Sequence, residues 1–201
     1  FGRMTLFAPI QVAWMNPVTT GKARLQEKAA LAGAFDRKFI NDRLDVAVNM
    51  RLEHINNSGD SLIQASFLLS GASASLAVAH WLTLRANVQR TYRSPSLNEL
   101  YYFPGGNATL RPEQGWNEDA GYTVRLSMGN WSVYHDLSLF TRDIHDWILW
   151  IGGAVWTPHN IAQVHSRGVE TENNVAWNNG KWTFHLGLNT AYVLATTVSS
   201  Y

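Results

Sequence analysis

Strict alternation of apolar and polar residues, repeated along most of the chain, is the feature that most limits what this sequence can fold into. In 43–53 the even positions are Leu44, Val46, Val48, Met50 and Leu52, set between Arg43, Asp45, Asn49, Arg51 and Glu53. In 82–93 Leu82, Leu84, Ala86 and Val88 alternate with Thr83, Arg85, Asn87 and Gln89. The same pattern recurs in 120–128 (Tyr122, Val124, Leu126, Met128) and in 182–189 (Trp182, Phe184, Leu186, Leu188). A period of two places i, i+2 and i+4 on one face of a strand, whereas a helix needs a period near 3.6. Segments 29–39, 131–141 and 161–177 follow the rule less cleanly, and 2–14 follows it around Pro9, which cannot donate to a sheet ladder. The expected fold class is all-β and antiparallel.

The connections alternate in kind. Short turns are expected near 38–42, 79–82, 128–130 and 178–181, the last carrying the hairpin dipeptide Asn179-Gly180. Longer loops are expected near 15–27, 55–61, 93–115 and 152–158. Segment 131–151 is predicted to be one long strand bent near 142–146, with 158–177 returning beside it, and about nine strands result. One edge of the sheet is trimmed and the other elaborated. Phe1 already lies in strand-like sequence and Tyr201 stops just past a strand, so a piece of a longer protein is expected.

Composition decides which face meets what. The net charge of +1 gives no global field for nucleic acid or an acidic partner. With no cysteine, neither a disulfide framework nor a thiolate site is available. No run of about 18 apolar residues offers a transmembrane helix. Charged residues make up 15%, below the roughly 25% of a soluble domain, and only four are lysines. Nine tryptophans and seven tyrosines gather near strand ends, as in the two aromatic girdles of a membrane barrel. The apolar face is therefore expected to meet lipid and the polar face an enclosed interior, with short turns periplasmic and long loops extracellular. Two other readings stay open: a soluble β-sandwich binding carbohydrate through its aromatic loops, and a structural barrel or adhesin.

The stretch 82–126 carries motifs beyond periodicity. It contains Arg93-Ser94-Pro95, Asn98-Glu99-Leu100-Tyr101, Gly106-Asn107, Leu110-Arg111-Pro112-Glu113 and Glu118, followed by "LFTRDIHDWILW" at 139–150 and "HNIAQVHSRGVETE" at 159–172 with Asn160, Gly168, Val169 and Glu170. In order and spacing this resembles the barrel signature of TonB-dependent outer-membrane receptors, most of all those for vitamin B12 (cobalamin). The resemblance implies a segment of a 22-stranded transmembrane barrel in the bacterial outer membrane, with 1–201 wholly barrel domain and the plug domain outside this chain. It also implies active import energised by a TonB-type coupling protein acting through that plug, with a surface lipoprotein as a further partner. Cobalamin is the first ligand candidate, and a ferric siderophore or haem the second.

Expected ligand contacts are loop-tip aromatics and polar groups: Tyr101, Tyr102, Phe103, Asn107, Arg111, Trp150, Trp156 and Asn160. Aromatic faces give large contact area at little entropic loss. Arg93, Pro95, Glu99, Leu100, Pro112, Glu113, Gly168 and Glu170 are expected to serve loop and rim structure. Glu118, Glu170 and Glu172 are expected to face the interior and pair with Arg85, Arg125 or plug residues, since a buried carboxylate needs a partner. The seven histidines lie mostly on different strands without metal-ligand spacing, and no serine–histidine spacing suggests a nucleophile. No catalysis, metal or cofactor is expected.

Overall fold

The computed structural model describes residues 2–16, 23–58 and 64–198. They form one antiparallel sheet of ten strands. In chain order these are β1 (Arg3–Phe7), β2 (Ile10–Met15), β3 (Arg24–Phe39), β4 (Leu44–Ser58), β5 (Gln64–Ala79), β6 (Leu82–Arg93), β7 (Glu113–Met128), β8 (Trp131–Ile151), β9 (Thr157–Asn178) and β10 (Thr183–Val198). One helix, α1 (Leu97–Tyr101), interrupts the succession between β6 and β7. From β3 onward, each strand pairs with the next. β1 and β2 share one lane beside β3, split at Ala8-Pro9, where the Pro9 carbonyl still accepts from the Ala30 N–H. Ten strands thus fill nine lanes, which accounts for the expected nine.

Short turns fall at 40–43, 80–81, 129–130 and 179–182. Gly180 takes φ +86° in the last of them, a left-handed conformation that glycine adopts without a Cβ clash. β3 starts at Arg24, inside the stretch read as a loop over 15–27, and the loop expected at 55–61 lies partly in 59–63, outside the described residues. β5 is a full strand whose sequence shows no clear apolar–polar alternation. β8 bends as expected: its register with β9 shifts between Ile144 and Trp147, and Asp146 adopts φ +57°.

Residues directly opposite in antiparallel neighbours share a face. Register therefore links Leu84, Tyr122, Leu137 and Thr171 on one side, and Arg85 with Gly121 and Ser138 with Glu170 on the other. The first side is apolar, and nothing among the described residues covers it: Leu31, Met50, Leu139, Phe184, Leu186 and Leu188 are all more than half exposed. Leu84 is 43% exposed. A sandwich would have buried these side chains beneath a second sheet, and that reading is overturned. Along 120–128 and 131–139 the apolar row rises about 23 Å at ordinary strand tilt, close to the height of a bilayer's apolar band. Trp131 and Trp177 close it at the turn end, with ring centroids 6.3 Å apart.

Polar groups on this face satisfy one another. The Tyr122 hydroxyl lies 3.1 Å from His135 Nε2, and His135 Nδ1 lies 2.6 Å from Asn173 Oδ1. The Asn173 amide then donates to Thr171 Oγ1 and the Leu188 carbonyl, each at 3.1 Å. Such a ladder is what a face against hydrocarbon requires of buried polar atoms. Above the apolar row, Glu118, Thr141 and Arg167 stand side by side on the same face. Glu118 therefore does not face the interior as expected: its parity is that of Ala120 and Tyr122. Arg85 is taken by Asp136, with Nη2 at 2.6 Å from Oδ1, and Glu172 accepts from the Asn174 amide at 2.8 Å. Glu170 and Glu172 do lie on the polar face, opposite Ser138 and Asp136.

Candidate functional site

The 94–112 connection folds against the polar face at the long-loop edge. Its first turn is helical because Ser96 and Glu99 form a reciprocal cap: Ser96 Oγ accepts from the Glu99 N–H at 3.2 Å, and Glu99 Oε2 accepts from the Ser96 N–H at 2.8 Å. Leu97 and Leu100 point inward, and Leu100, Leu110 and Ile148 form a buried cluster with Tyr101 packed against it. Pro95 is fully buried, and its carbonyl accepts from the Gln26 amide of β3 at 3.0 Å. The Arg24 guanidinium covers the Tyr101 ring at 4.5 Å.

A single arginine ties this loop to the strands. Arg93 donates from Nε and Nη2 to the two oxygens of Glu113 at 2.9 and 2.7 Å, and from Nη1 and Nη2 to Glu99 at 2.9 and 3.1 Å. Glu113, buried at the start of β7, also accepts from the Ile148 N–H at 2.8 Å. A cleft of about 280 Å³ opens beside this node, lined by Thr91, Asn117, Arg142, Ile144 and Trp147. Burial alone would lift the Glu99 carboxyl, but the hydrogen bonds from Arg93 and Ser96 outweigh it and hold the group below the usual carboxylate range. A depressed folded-state value stabilises the fold at pH above the ordinary carboxylate pKa, and the contribution fades as pH falls through the depressed one. The expected result is that Glu99→Gln lowers the unfolding midpoint at pH 7, and that the gap to wild type closes only at pH below about 4. Urea titrations at pH 7 and pH 3 check this.

The strand ends that flank the second loop, 152–156, are locked to the first loop. The Asn107 amide donates to the Pro158 carbonyl at 2.9 Å while its Oδ1 takes the Thr109 N–H at 3.0 Å. Asn160 Oδ1 accepts from the Arg111 N–H at 2.7 Å, and its amide donates to the Arg111 and Asp146 carbonyls at 2.8 and 2.6 Å. The Arg111 guanidinium pairs with Asp146, Nε to Oδ1 at 3.1 Å. A Cβ on Gly105 would lie 1.9 Å from the Trp156 carbonyl oxygen, so only glycine permits this backbone approach.

The eight expected ligand contacts thus divide. Asn107, Arg111 and Asn160 direct their polar groups into the clamp between the first loop and the β8 and β9 ends. Tyr101 is half-buried. Tyr102, Phe103 and Trp156 are 50%, 64% and 62% exposed, and Trp150 meets Tyr102 edge to face at 6.1 Å. Of the expected structural residues, Pro112 lies half-buried just ahead of β7. Gly168 sits on β9 beneath the Phe140 ring, where a Cβ would approach the Tyr192 carbonyl oxygen to 2.3 Å. The reading from sequence missed α1, although Ser96-x-x-Glu99 is a capping signature.

A single-layered sheet, apolar on one face and polar on the other and elaborated along one edge, is the wall of a membrane β-barrel with its longer loops at one end. Residues 7–200 match the family described as TonB dependent receptor-like, beta-barrel, and the chain belongs to that family. Over 100 residues it is 29% identical to the vitamin B12 transporter BtuB of Vibrio vulnificus, a match covering 48% of this chain and 16% of that protein. Among solved structures it superposes on the FrpB iron transporter from Neisseria meningitidis with a TM-score of 0.65 at 13% identity, covering 88% of this chain and 27% of that one. It also superposes on the copper transporter OprC with a TM-score of 0.64 at 14% identity, covering 94% and 35%. At such identities these likenesses show the fold. The chain spans a sixth of the curated relative's length and about a third or less of the solved ones.

Proposed function

We propose that this chain forms part of the barrel wall and two extracellular loops of an active importer in the bacterial outer membrane. Residues 1–201 are all barrel domain. A plug supplied by sequence outside this chain closes the interior, and a TonB-type protein acting on that plug drives release inward. The apolar face meets lipid, the polar face meets the plug, and no bond of the cargo is made or broken.

The observation that carries the reading is the clamp between the 94–112 loop and the ends of β8 and β9 that flank the 152–156 loop. It leaves an aromatic tip outward and turns the nearby charges inward on one another. Pre-organised aromatics bind a bulky cargo at small entropic loss. Tyr102, Phe103, Trp150 and Trp156 are the contacts, with Tyr101, Asn107, Arg111 and Asn160 setting their positions and lining the rim. A surface lipoprotein that helps retain cargo would meet the same tip.

Cobalamin is the favoured cargo. The likeness to a B12 transporter supports it, as does a tip poor in unpaired charge, which suits a large amphipathic molecule better than a polyanionic ferric chelate. A ferric siderophore or haem is the second reading, supported by the structural likeness to an iron transporter. The test is equilibrium binding of cyanocobalamin, ferric catecholate and haem to the full-length receptor in detergent. Saturable cobalamin binding is expected, and Tyr102→Ala with Trp156→Ala is expected to weaken it by about 10- to 100-fold. Binding of a ferric chelate in its place would overturn the cobalamin assignment.

A further inference from the structure

The polar face carries a guanidinium that nothing else in the wall engages. Register places Arg142 of β8 opposite Asn117 on β7 and Ser166 on β9. The next row toward the long loops, Thr91–Gly115–Ile144, has no side chain at its centre. None could be added there, because a Cβ on Gly115 would lie 1.8 Å from the Asp143 carbonyl oxygen. The cleft of about 280 Å³ spans this gap, and Asn117 and Arg142 line it. The same two residues line a second recess of about 510 Å³, which continues toward the turn end of the sheet.

The other charges around the cleft are taken. Glu113, the carboxylate in its lining, accepts from Arg93 and from the Ile148 N–H. Arg111 is held by Asp146 and Arg85 by Asp136. The Arg142 guanidinium is exposed, and among the described residues it makes no ion pair, hydrogen bond or ring contact. Asn117 Oδ1 is closed off without a partner, which leaves the NH2 group of that amide on the open side. Arginine stays protonated at any usable pH, and its planar fork matches the two oxygens of a carboxylate or phosphate. Ile144 and Trp147 give the cleft an apolar flank. Toward the turn end the sign reverses. Asp119, which accepts from the Asn87 amide at 2.9 Å, and Glu170 line the far part of the second recess. An anion is therefore attracted at Arg142 and repelled beyond it.

We propose that the Arg142 cleft is an inner cargo subsite for an anionic oxygen group, a carboxylate or phosphoester borne on an apolar frame. Arg142 supplies the charge, the Asn117 amide a neutral donor, and Trp147 the apolar wall. At about 280 Å³ the cleft is smaller than a pocket for a whole ligand, so it holds one arm of a bulky molecule. It lies inward of Tyr102 and Phe103, where cargo leaving the tip would arrive. The inference rests on the polar face being an enclosed interior, and it deepens the transport reading by naming the group that this wall recognises.

The test titrates benzoate, phenyl phosphate and neutral benzamide into the full-length receptor in detergent, at fixed ionic strength, and follows them by calorimetry. Saturable binding of at least one anion is expected, with benzamide about ten-fold weaker or more. The tighter of the two anions tells carboxylate from phosphoester. Arg142→Gln is expected to weaken that binding about ten-fold. Arg142→Lys, which keeps the charge without the fork, should fall between, and it carries the test if Arg142→Gln does not fold. Arg167→Gln, on the opposite face, should leave binding unchanged. Urea midpoints read in parallel check that each variant is folded. Three results would overturn the proposal: no saturable anion binding, equal binding of benzamide, or binding unchanged in both Arg142 variants. The first includes the case in which a plug carboxylate already sits on Arg142. Cobalamin and chelate binding at the tip is scored separately, so failure of the cargo assignment leaves the anion result standing, and the reverse also holds.

Discussion

Arg93→Met in the full-length receptor is expected to destabilise the fold by about 2–4 kcal/mol and to remove high-affinity cargo binding. Arg93 holds two carboxylates, but they are not equal. Glu99 has its cap at Ser96 to fall back on, and the exposed part of its ion pair with Arg93 adds little. The side chain of Glu113 is 8% accessible, and its remaining partner is the Ile148 N–H. Without Arg93 a buried carboxylate is left nearly uncompensated, and this dominates the loss. Restoring neutrality with Glu113→Gln in the Arg93→Met background should recover part of it, which gives the two residues a coupling energy above about 1 kcal/mol in a double-mutant cycle. Arg167→Met, on the opposite face and free of any such node, should shift the midpoint by under about 0.5 kcal/mol. Urea titration followed by tryptophan fluorescence reads all five proteins: wild type, Arg93→Met, Glu113→Gln, the double variant and Arg167→Met. If Arg93→Met matched Arg167→Met, the node would not be what fixes the loop. Binding should fall with stability because Leu100 and the Arg93–Glu99 pair seat α1, and α1 leads directly into Tyr102.

The alternation of β4, β6 and β7 was legible because large aliphatics face charged or amide residues at every second position. β5 was not, because Gln64–Ala79 is dominated by alanine, serine and glycine, which neither face rejects. Parity also outranks residue chemistry. Glu118 is an acid, and chemistry alone sends it to the interior, yet it continues the even series of Ala120 and Tyr122. It escapes hydrocarbon by standing above the apolar band, in line with Thr141 and Arg167. α1 is too short for a helical period to show, and prolines near it mask the cap. The clamp was out of reach for another reason. Asn107 and Pro158, or Arg111 and Asn160, are about fifty residues apart, and their meeting depends on the bend in β8 and the register of β8 with β9. Sequence marked these residues as polar loop groups without showing that their hydrogen bonds are directed at each other.

The assignment of faces makes the sharpest demand, since neighbouring residues on one strand should respond in opposite ways to the same substitution. Val48 lies on the apolar face between Phe35 and Ala72, 45% exposed. Ala47 points the other way, opposite Asp36 and Ser73. Val48→Arg places a guanidinium near the middle of the apolar band, where a lipid-facing arginine costs about 2–4 kcal/mol. Ala47→Arg places it beside Asp36 on a face that already carries Arg85, and the change should stay within about 1 kcal/mol. Folding of the full-length receptor into phosphatidylcholine vesicles, followed by urea titration, measures both. In a water-soluble protein the order would weaken or invert, because an arginine at a 45%-exposed site meets solvent and one at a half-buried site does not. The contrast between positions 47 and 48 therefore tests the lipid-facing assignment directly, independently of which cargo the loops hold. Equal effects at the two positions would remove the basis for placing the interior, and with it the cargo route, on the polar side.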